Sequence, residues 1–236
     1  MHPSAEWLTR TTWMAWLHRW ATRHRRLLAL GAALGLLLAL ALDALLDRQG
    51  ERTLPVYGEA PAFVLTDQLE RPVRSAELQG TVVVANFIYT SCRDVCPLLT
   101  VQMRALQERL RQDRLLGNRV RLLSFTVDPA RDTPAVLRSY AERHQADPVS
   151  WRFLTGPEAE LIPLIVSGFR LGVQALPPTP TTHASEDTDE AAPPYEVMHS
   201  GRFVLIDRLG RIRTYYDGRT LDLERVLRDI RRLLKE

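Results

Sequence analysis

The chain has 236 residues, 45% of them apolar, with 31 basic and 28 acidic side chains and two cysteines. That length is ample for a buried core, while so even a charge balance excludes a disordered acidic chain and two cysteines are too few for a disulfide scaffold or a zinc-ribbon array. Residues 1–48 hold six arginines against three acids and residues 49–236 hold 25 of each sign, so the net +3 belongs to the N-terminus and gives no footing to nucleic acid.

Residues 1–26 read as a cytoplasmic interfacial segment. Trp13, Trp16, Leu17 and Trp20 fall on one helical stripe, and tryptophan favours the headgroup zone. Residues 27–46 are apolar apart from Asp43, and twenty residues at the helical rise cover about 30 Å, the thickness of a bilayer core. Five arginines precede this segment and none lies in it, which keeps the N-terminus cytoplasmic and exports the rest. A cleaved signal peptide at Ala39-Leu40-Ala41 is the alternative; the long N-terminal region and the apolar run beyond Ala41 favour an uncleaved single-pass anchor.

Residues 47–61, with mixed charges, Pro55, Gly58 and Pro61, read as a linker before a domain over 62–236. There, 62–66 and the stretch around Val73 form a hairpin across 67–71. Residues 81–89 are a near-continuous β-branched and aromatic run, the mark of a strand buried on both faces. A helix over 97–112 offers Leu98, Val101, Leu106 and Leu110 to the core, and 120–127 is the next buried strand. Thr133 before Pro134 sets an N-cap and an N1 proline, so a helix runs to about 145. Residues 151–155 make a strand, and Pro157, Glu158 and Glu160 open a helix that Pro163 kinks or delays. Residues 176–196, with five prolines, five acids and no lysine or arginine, are expected as a mobile loop. Residues 203–207 and 212–216 flank a hairpin turn, and 221–235 closes as a helix, acidic early and basic late. The order of elements predicts an α/β sandwich with no internal repeat.

Both cysteines lie in Thr90-Ser91-Cys92-Arg93-Asp94-Val95-Cys96, followed by Pro97, between a buried strand and a helix start. First-turn N–H groups and the helix dipole favour thiolate there. Three readings compete: a structural disulfide, natural in an exported protein but constraining little chain at so short a spacing, a thiol–disulfide redox pair, and a soft-metal site. On a regular helix, i and i+4 Cβ atoms lie about 5–6 Å apart, against about 3.8 Å in a disulfide. Two thiolates at about 2.3 Å from a shared metal put the sulfurs roughly 4 Å apart. A helical turn therefore favours metal sharing over oxidation, with both open.

A metal needs a further ligand. His2, His18 and His24 precede the span, His144 sits at a helix end beside Arg143, and His183 lies in the acidic loop. His199, just before the 203–207 strand, is the candidate, with a structural role, the commoner one for a lone histidine, as its alternative. Asp128 ends a buried strand, where ligands of open α/β sheets gather, and is the candidate for a place behind the ligands; turn and cap chemistry is its alternative.

With these residues assembled, the chain resembles the Sco/SenC family, membrane-tethered thioredoxin-like proteins associated with copper insertion into cytochrome c oxidase. The resemblance covers about 55–235 and the preceding anchor. It rests on Cys92-x-x-x-Cys96-Pro97, on Val127-Asp128-Pro129 followed by Asp132-Thr133-Pro134, and on His199 before Leu205-Ile206-Asp207 with Gly210. It implies Cys92, Cys96 and His199 as copper ligands, with Asp128 near the site. The family usually has proline after the first cysteine; Arg93 stands there instead, adding a positive charge and an N–H.

Thiolates suit Cu(I), imidazole supports Cu(II), and a low-coordinate site can pass its metal on. The resemblance implies a thioredoxin-like α/β sandwich behind one transmembrane helix, on the periplasmic face of a bacterial inner membrane. It would be a metallochaperone more than an enzyme, delivering copper to the binuclear copper centre of cytochrome c oxidase subunit II. Another periplasmic copper chaperone or a thiol reductase is a further partner. The alternative is a thiol–disulfide oxidoreductase with Cys92 and Cys96 as its catalytic pair.

Overall fold

A computed structural model describes residues 29–31, 33–40, 42, 53–176 and 196–236, the chain dividing into Met1–Arg52 and Thr53–Glu236. In the first unit the described residues are helical, and Leu30, Leu36 and Leu40 are 66%, 63% and 57% exposed. No helix among the described residues is long and apolar enough to cross a membrane. The expected interfacial helix, both ends of the expected span and most of the acidic loop lie outside the described residues.

Among the described residues, the buried core lies in the second unit. Its centre is β4 (Val82–Ile88), whose seven residues are all buried, as a strand covered on both faces requires. β5 (Val120–Thr126) pairs parallel with β4, and β6 (Trp151–Thr155) pairs parallel with β5. α1 (Val95–Gln112) and α2 (Pro134–Arg143) make the two crossovers. On the other side of β4, β9 (Arg202–Ile206) runs antiparallel and turns into β10 (Arg211–Asp217), followed by α4 (Leu223–Leu233). The spatial order β10-β9-β4-β5, with α1 inside the parallel pair and α4 after the hairpin, is a thioredoxin-like core. The hairpin of β2 (Val64–Asp67) and β3 (Pro72–Arg74) extends the β6 edge.

One difference from the sequence reading lies in α1. It begins at Val95, and its buried stripe is Cys96, Leu99, Met103, Leu106 and Leu110. This 3-4-3-4 spacing follows one helix face. Leu98 and Val101, assigned to the core above, lie off that stripe and are 42% and 59% exposed. α2 meets its expectation: Thr133 Oγ1 accepts the Val136 N–H and Pro134 opens the helix. α3 (Glu158–Pro163) runs on past its proline into a π-helical turn, Leu164–Gly168, rather than starting late. That turn delivers Phe169 into a ring cluster with Phe87 and Phe125 on one sheet face.

The stretch read as a linker is partly docked. β1 (Gly58–Glu59) pairs with β10, and the Arg213 guanidinium donates to the carbonyls of Leu54 and Pro55. Arg213, 2% exposed, also pairs with Asp207 and Glu236 at 2.9 and 2.5 Å, so a buried cation ties together the entering chain, the β9 end and the C-terminus. The acidic loop is framed by strands: β7 (Val173–Leu176) and β8 (Glu196–His199) form a separate antiparallel ribbon.

Candidate metal centre

The chain leaves β4 at its C-terminal end, makes a turn through Thr90 and Ser91, and enters α1 at Val95. Cys92 lies in that turn, and Cys96 is the second residue of the helix. Residues 92–94 precede the helix, so the regular i, i+4 geometry expected from the sequence does not apply. The Cys96 N–H donates to Cys92 Sγ at 3.4 Å, and the two side chains are hydrogen-bonded to each other. Asp94, the formal N-cap, makes no capping bond through its side chain; the sulfur of Cys92 takes that place. Pro97 in the first turn withholds an N–H that has no acceptor inside the helix. Cys96 is fully buried and Cys92 half-buried. The hydrogen bond from Cys92 and then burial push the Cys96 thiol well above the ordinary thiol range, against a backbone hydrogen bond from Tyr89 that acts the other way.

Polar groups from other elements brace this turn. Asp132, buried, accepts from the Thr90 N–H at 3.1 Å, from Thr90 Oγ1 at 2.6 Å and from Thr126 Oγ1 at 2.6 Å. Burial, ahead of its neighbours, raises the Asp132 pKa despite those bonds. Thr100 Oγ1 donates to the Cys96 carbonyl at 2.9 Å and lies 2.7 Å from Tyr140 Oη of α2. With the threonine proton engaged, the tyrosine is the donor in that second bond. Burial first pushes the Tyr140 hydroxyl up to about 12. Asp132 stands in the motif that carries the family resemblance but has no role assigned from sequence, and Tyr140 is not singled out there at all. The legible signal of Asp132 is a carboxylate beside the Thr133 cap, in the loop that follows β5.

Asp128 is buried in the same layer of loops. Its carboxylate pairs with Arg131, whose guanidinium lies 6.0 Å from the Tyr89 ring centroid, and its N–H donates to Thr126 Oγ1. Asp128 thus shares Thr126 with Asp132, and Asp132 is the carboxylate that reaches the cysteine turn.

His199 is the last residue of β8, its backbone paired with Val173. The next residue, Ser200, donates its N–H to the Gly172 carbonyl at 3.0 Å. Gly201 lies against Val95, where an added Cβ would be 3.3 Å from Val95 Cγ2. His199 is two residues from Gly201, at most about 7 Å of extended chain. Its backbone is therefore held near the cysteine turn, and its side chain is outside the described residues. Gly218 secures this arrangement: its N–H donates to the Gly201 carbonyl at 2.8 Å, and it fits against Leu99 of α1. His144 is elsewhere, as the C-cap of α2 with its ring against Tyr140, and burial followed by Arg143 lowers its pKa. His183 lies outside the described residues.

Comparison with known proteins gives the same layout a family. The SCO1/SenC family profile matches residues 53–235. A SCO1 protein homolog of Bacillus subtilis is 30% identical over 165 residues, covering 70% of this chain and 76% of the relative. A putative copper-binding protein of Stutzerimonas stutzeri is 34% identical, covering 81% of this chain and 86% of the relative. Among solved structures, a SCO1/SenC family lipoprotein from Bacillus anthracis superposes with a TM-score of 0.63 at 28% identity, over 76% of this chain and 96% of that one. Bradyrhizobium japonicum ScoI with copper bound superposes at 0.60 and 27% identity, over 75% and 99%. With two cysteines at the mouth of α1 and this match across the whole folded domain, the chain belongs to the SCO1/SenC family.

Proposed function

We propose that this protein is a membrane-anchored copper chaperone. It takes one copper ion as cargo through Cys92, Cys96 and His199 and passes it toward the binuclear copper centre of cytochrome c oxidase subunit II. The observation that carries the reading is the pairing of the Cys92 and Cys96 sulfurs at the N-terminus of α1, with the His199 backbone held alongside through Gly201 and Val95. Two soft sulfurs and an imidazole suit both oxidation states of copper. The copper-bound ScoI relative and the copper-binding relative support that cargo. Asp128 contributes indirectly, by holding Arg131 against Tyr89 in the loops that frame the site.

For the anchor, the support is an apolar helical stretch whose leucines are exposed, behind an arginine-rich flank, in a family with a lipoprotein member. Such a helix needs an apolar solvent. The domain then stands on the periplasmic face of a bacterial inner membrane.

The test uses the reduced fragment 53–236. It should bind one equivalent of copper, and His199→Ala should spare the fold while weakening Cu(II) binding. A fragment that binds no copper overturns the reading. The second reading, a thiol–disulfide oxidoreductase, is favoured by one observation: the two cysteine side chains are already hydrogen-bonded and Cys92 lies ahead of the helix, so Cys92 can approach Cys96 without unwinding α1. Turnover of a protein disulfide without copper would select it.

A further inference from the structure

The end of the sheet remote from the cysteines has a surface of its own. β4, β5, β6 and β10 begin there and β9 ends there: Val82 is level with Val120, Val83 with Ile206, Leu122 with Trp151, and Ile212 with both Ile206 and Gly58. The chain enters the domain at this end, where Arg213 holds the Leu54 and Pro55 carbonyls. Arg119 and Arg208 are exposed here, their guanidinium groups donating to the carbonyls of Leu234 and Gly80. Arg121 and Arg152, half-buried on β5 and β6, each have a buried Nε with no hydrogen-bond partner.

The acids nearby are mostly engaged. Asp207 and Glu236 are taken by Arg211 and Arg213, Asp67 by Arg71, and Asp113 by Arg231, while Glu77 faces Arg152 at longer range and Glu59 stands exposed, level with Arg211. Two apolar side chains project from the same end: Leu209, 70% exposed in the β9–β10 turn, and Val149, 62% exposed before β6. Single exposed leucines or arginines are ordinary on any surface. Here they coincide with the point where the chain emerges. Between the end of the expected span at residue 46 and Thr53 stand six residues, which reach at most about 20 Å.

We propose that this end of the domain docks on an anionic phospholipid surface, its arginines meeting headgroup phosphates while Leu209 and Val149 enter the interface. The cysteine end then faces away from the lipid, toward partners. The inference deepens the membrane-anchored reading and rests on it for orientation, but lipid binding by the domain is separately measurable. Basic residues beside an anionic leaflet and a shallow apolar insertion are weak attractions individually. A short tether raises their effective concentration enough to hold an orientation.

Fragment 53–236 contains every core residue among the described ones, so its co-sedimentation with vesicles reports on the domain without the anchor. It should bind vesicles of equimolar phosphatidylcholine and phosphatidylglycerol, less so as salt rises, and should not bind phosphatidylcholine alone. The double variant Arg119→Glu/Arg208→Glu should bind at least about tenfold more weakly with unchanged thermal unfolding. Leu209→Asp should also weaken binding, and Arg225→Glu/Arg228→Glu on α4 should not. Equal binding to neutral vesicles, an equal loss in the α4 control, or no binding to either vesicle, as when an acidic protein face takes this end, overturns the proposal. Carbonate extraction of the full chain tests the anchor alone. A fragment that binds anionic vesicles beside an extractable full chain would keep the docking surface and remove the anchor.

Discussion

The Cys96 N–H donates to Cys92 Sγ, so the first cysteine caps the helix that carries the second. One sulfur therefore serves both the first turn of α1 and the proposed copper site, and substitution can separate the two roles. Cys92→Ser keeps an acceptor at the helix start and should fold with near-native stability. Cys92→Ala removes the cap and should cost about 1 kcal/mol. Neither should hold copper with native affinity. Thermal unfolding of the metal-free variants, with copper stoichiometry on the same samples, checks both halves. An alanine variant as stable as the serine one would remove the capping role.

Gly218 joins α1 to the backbone after His199, the two halves of the proposed copper site. A Cβ there would overlap Leu99 Cδ2 and lie 2.5 Å from the Gly201 carbonyl oxygen and 3.2 Å from Phe203 Cε2. The leucine end can rotate away; the carbonyl belongs to the backbone leading out of His199. Gly218→Ala should destabilise by about 1–3 kcal/mol through overpacking. It should also weaken copper binding under conditions where the variant is fully folded, because residues 199–201 must shift. Calorimetric copper titration below the unfolding transition separates the two effects.

Asp207 supplies a pH dependence. Burial alone would raise its pKa, but hydrogen bonds from Arg211, Arg213 and the Leu209 N–H reverse this and hold it below the ordinary aspartate value of 3.8. A group depressed in the folded state contributes stability above its unfolded pKa and loses it as pH falls through the folded one. Metal-free protein should therefore lose stability below about pH 4, and Asp207→Asn should flatten that part of the profile. At pH 7 the same variant should cost about 3 kcal/mol, because it leaves the buried Arg213 cation with Glu236 as its remaining carboxylate partner. Denaturant unfolding at a series of pH values measures both.

The parts of this fold that sequence made legible are those governed by local pattern. β4 and β5 announce themselves as continuous β-branched and aromatic runs, and α2 by its Thr133-Pro134 start. The face of α1 was misplaced because its phase is set by Cys96, a residue assessed for chemistry and not for burial. β1, β7 and β8 are only two to four residues long and lie among prolines and glycines, too short for alternation to register. At the site, the cysteine pair was legible from spacing. Asp132 and Tyr140 act across elements distant in sequence, on Thr90 and Thr100; the local motif marks Asp132 as a loop carboxylate beside a helix cap, but neither its partner nor that of Tyr140 is encoded locally.

A five-residue pattern below the scale of a domain repeat occurs twice, and it provides an internal control. Asp67-Gln68-Leu69-Glu70-Arg71 and Asp207-Arg208-Leu209-Gly210-Arg211 form the same turn. In each, an aspartate Oδ1 accepts the N–H groups two and four residues on, and the closing arginine returns its Nε to Oδ2 at 2.9 or 2.8 Å. The fourth position is left-handed in both, φ 61° at Glu70 and 79° at Gly210. Glycine adopts that region without steric cost, whereas glutamate does not. The exposed 3.9 Å pairing of Glu70 with Arg138 offsets little. Glu70→Gly should therefore stabilise the domain by about 0.5–1 kcal/mol, net of the greater chain freedom of glycine when unfolded. Gly210→Glu should destabilise by a similar amount, with copper stoichiometry unchanged in both. Equal and opposite shifts in the denaturation midpoint would show that the two turns obey the same backbone energetics, and a loss of stability in Glu70→Gly would place the weight of that turn on the glutamate side chain.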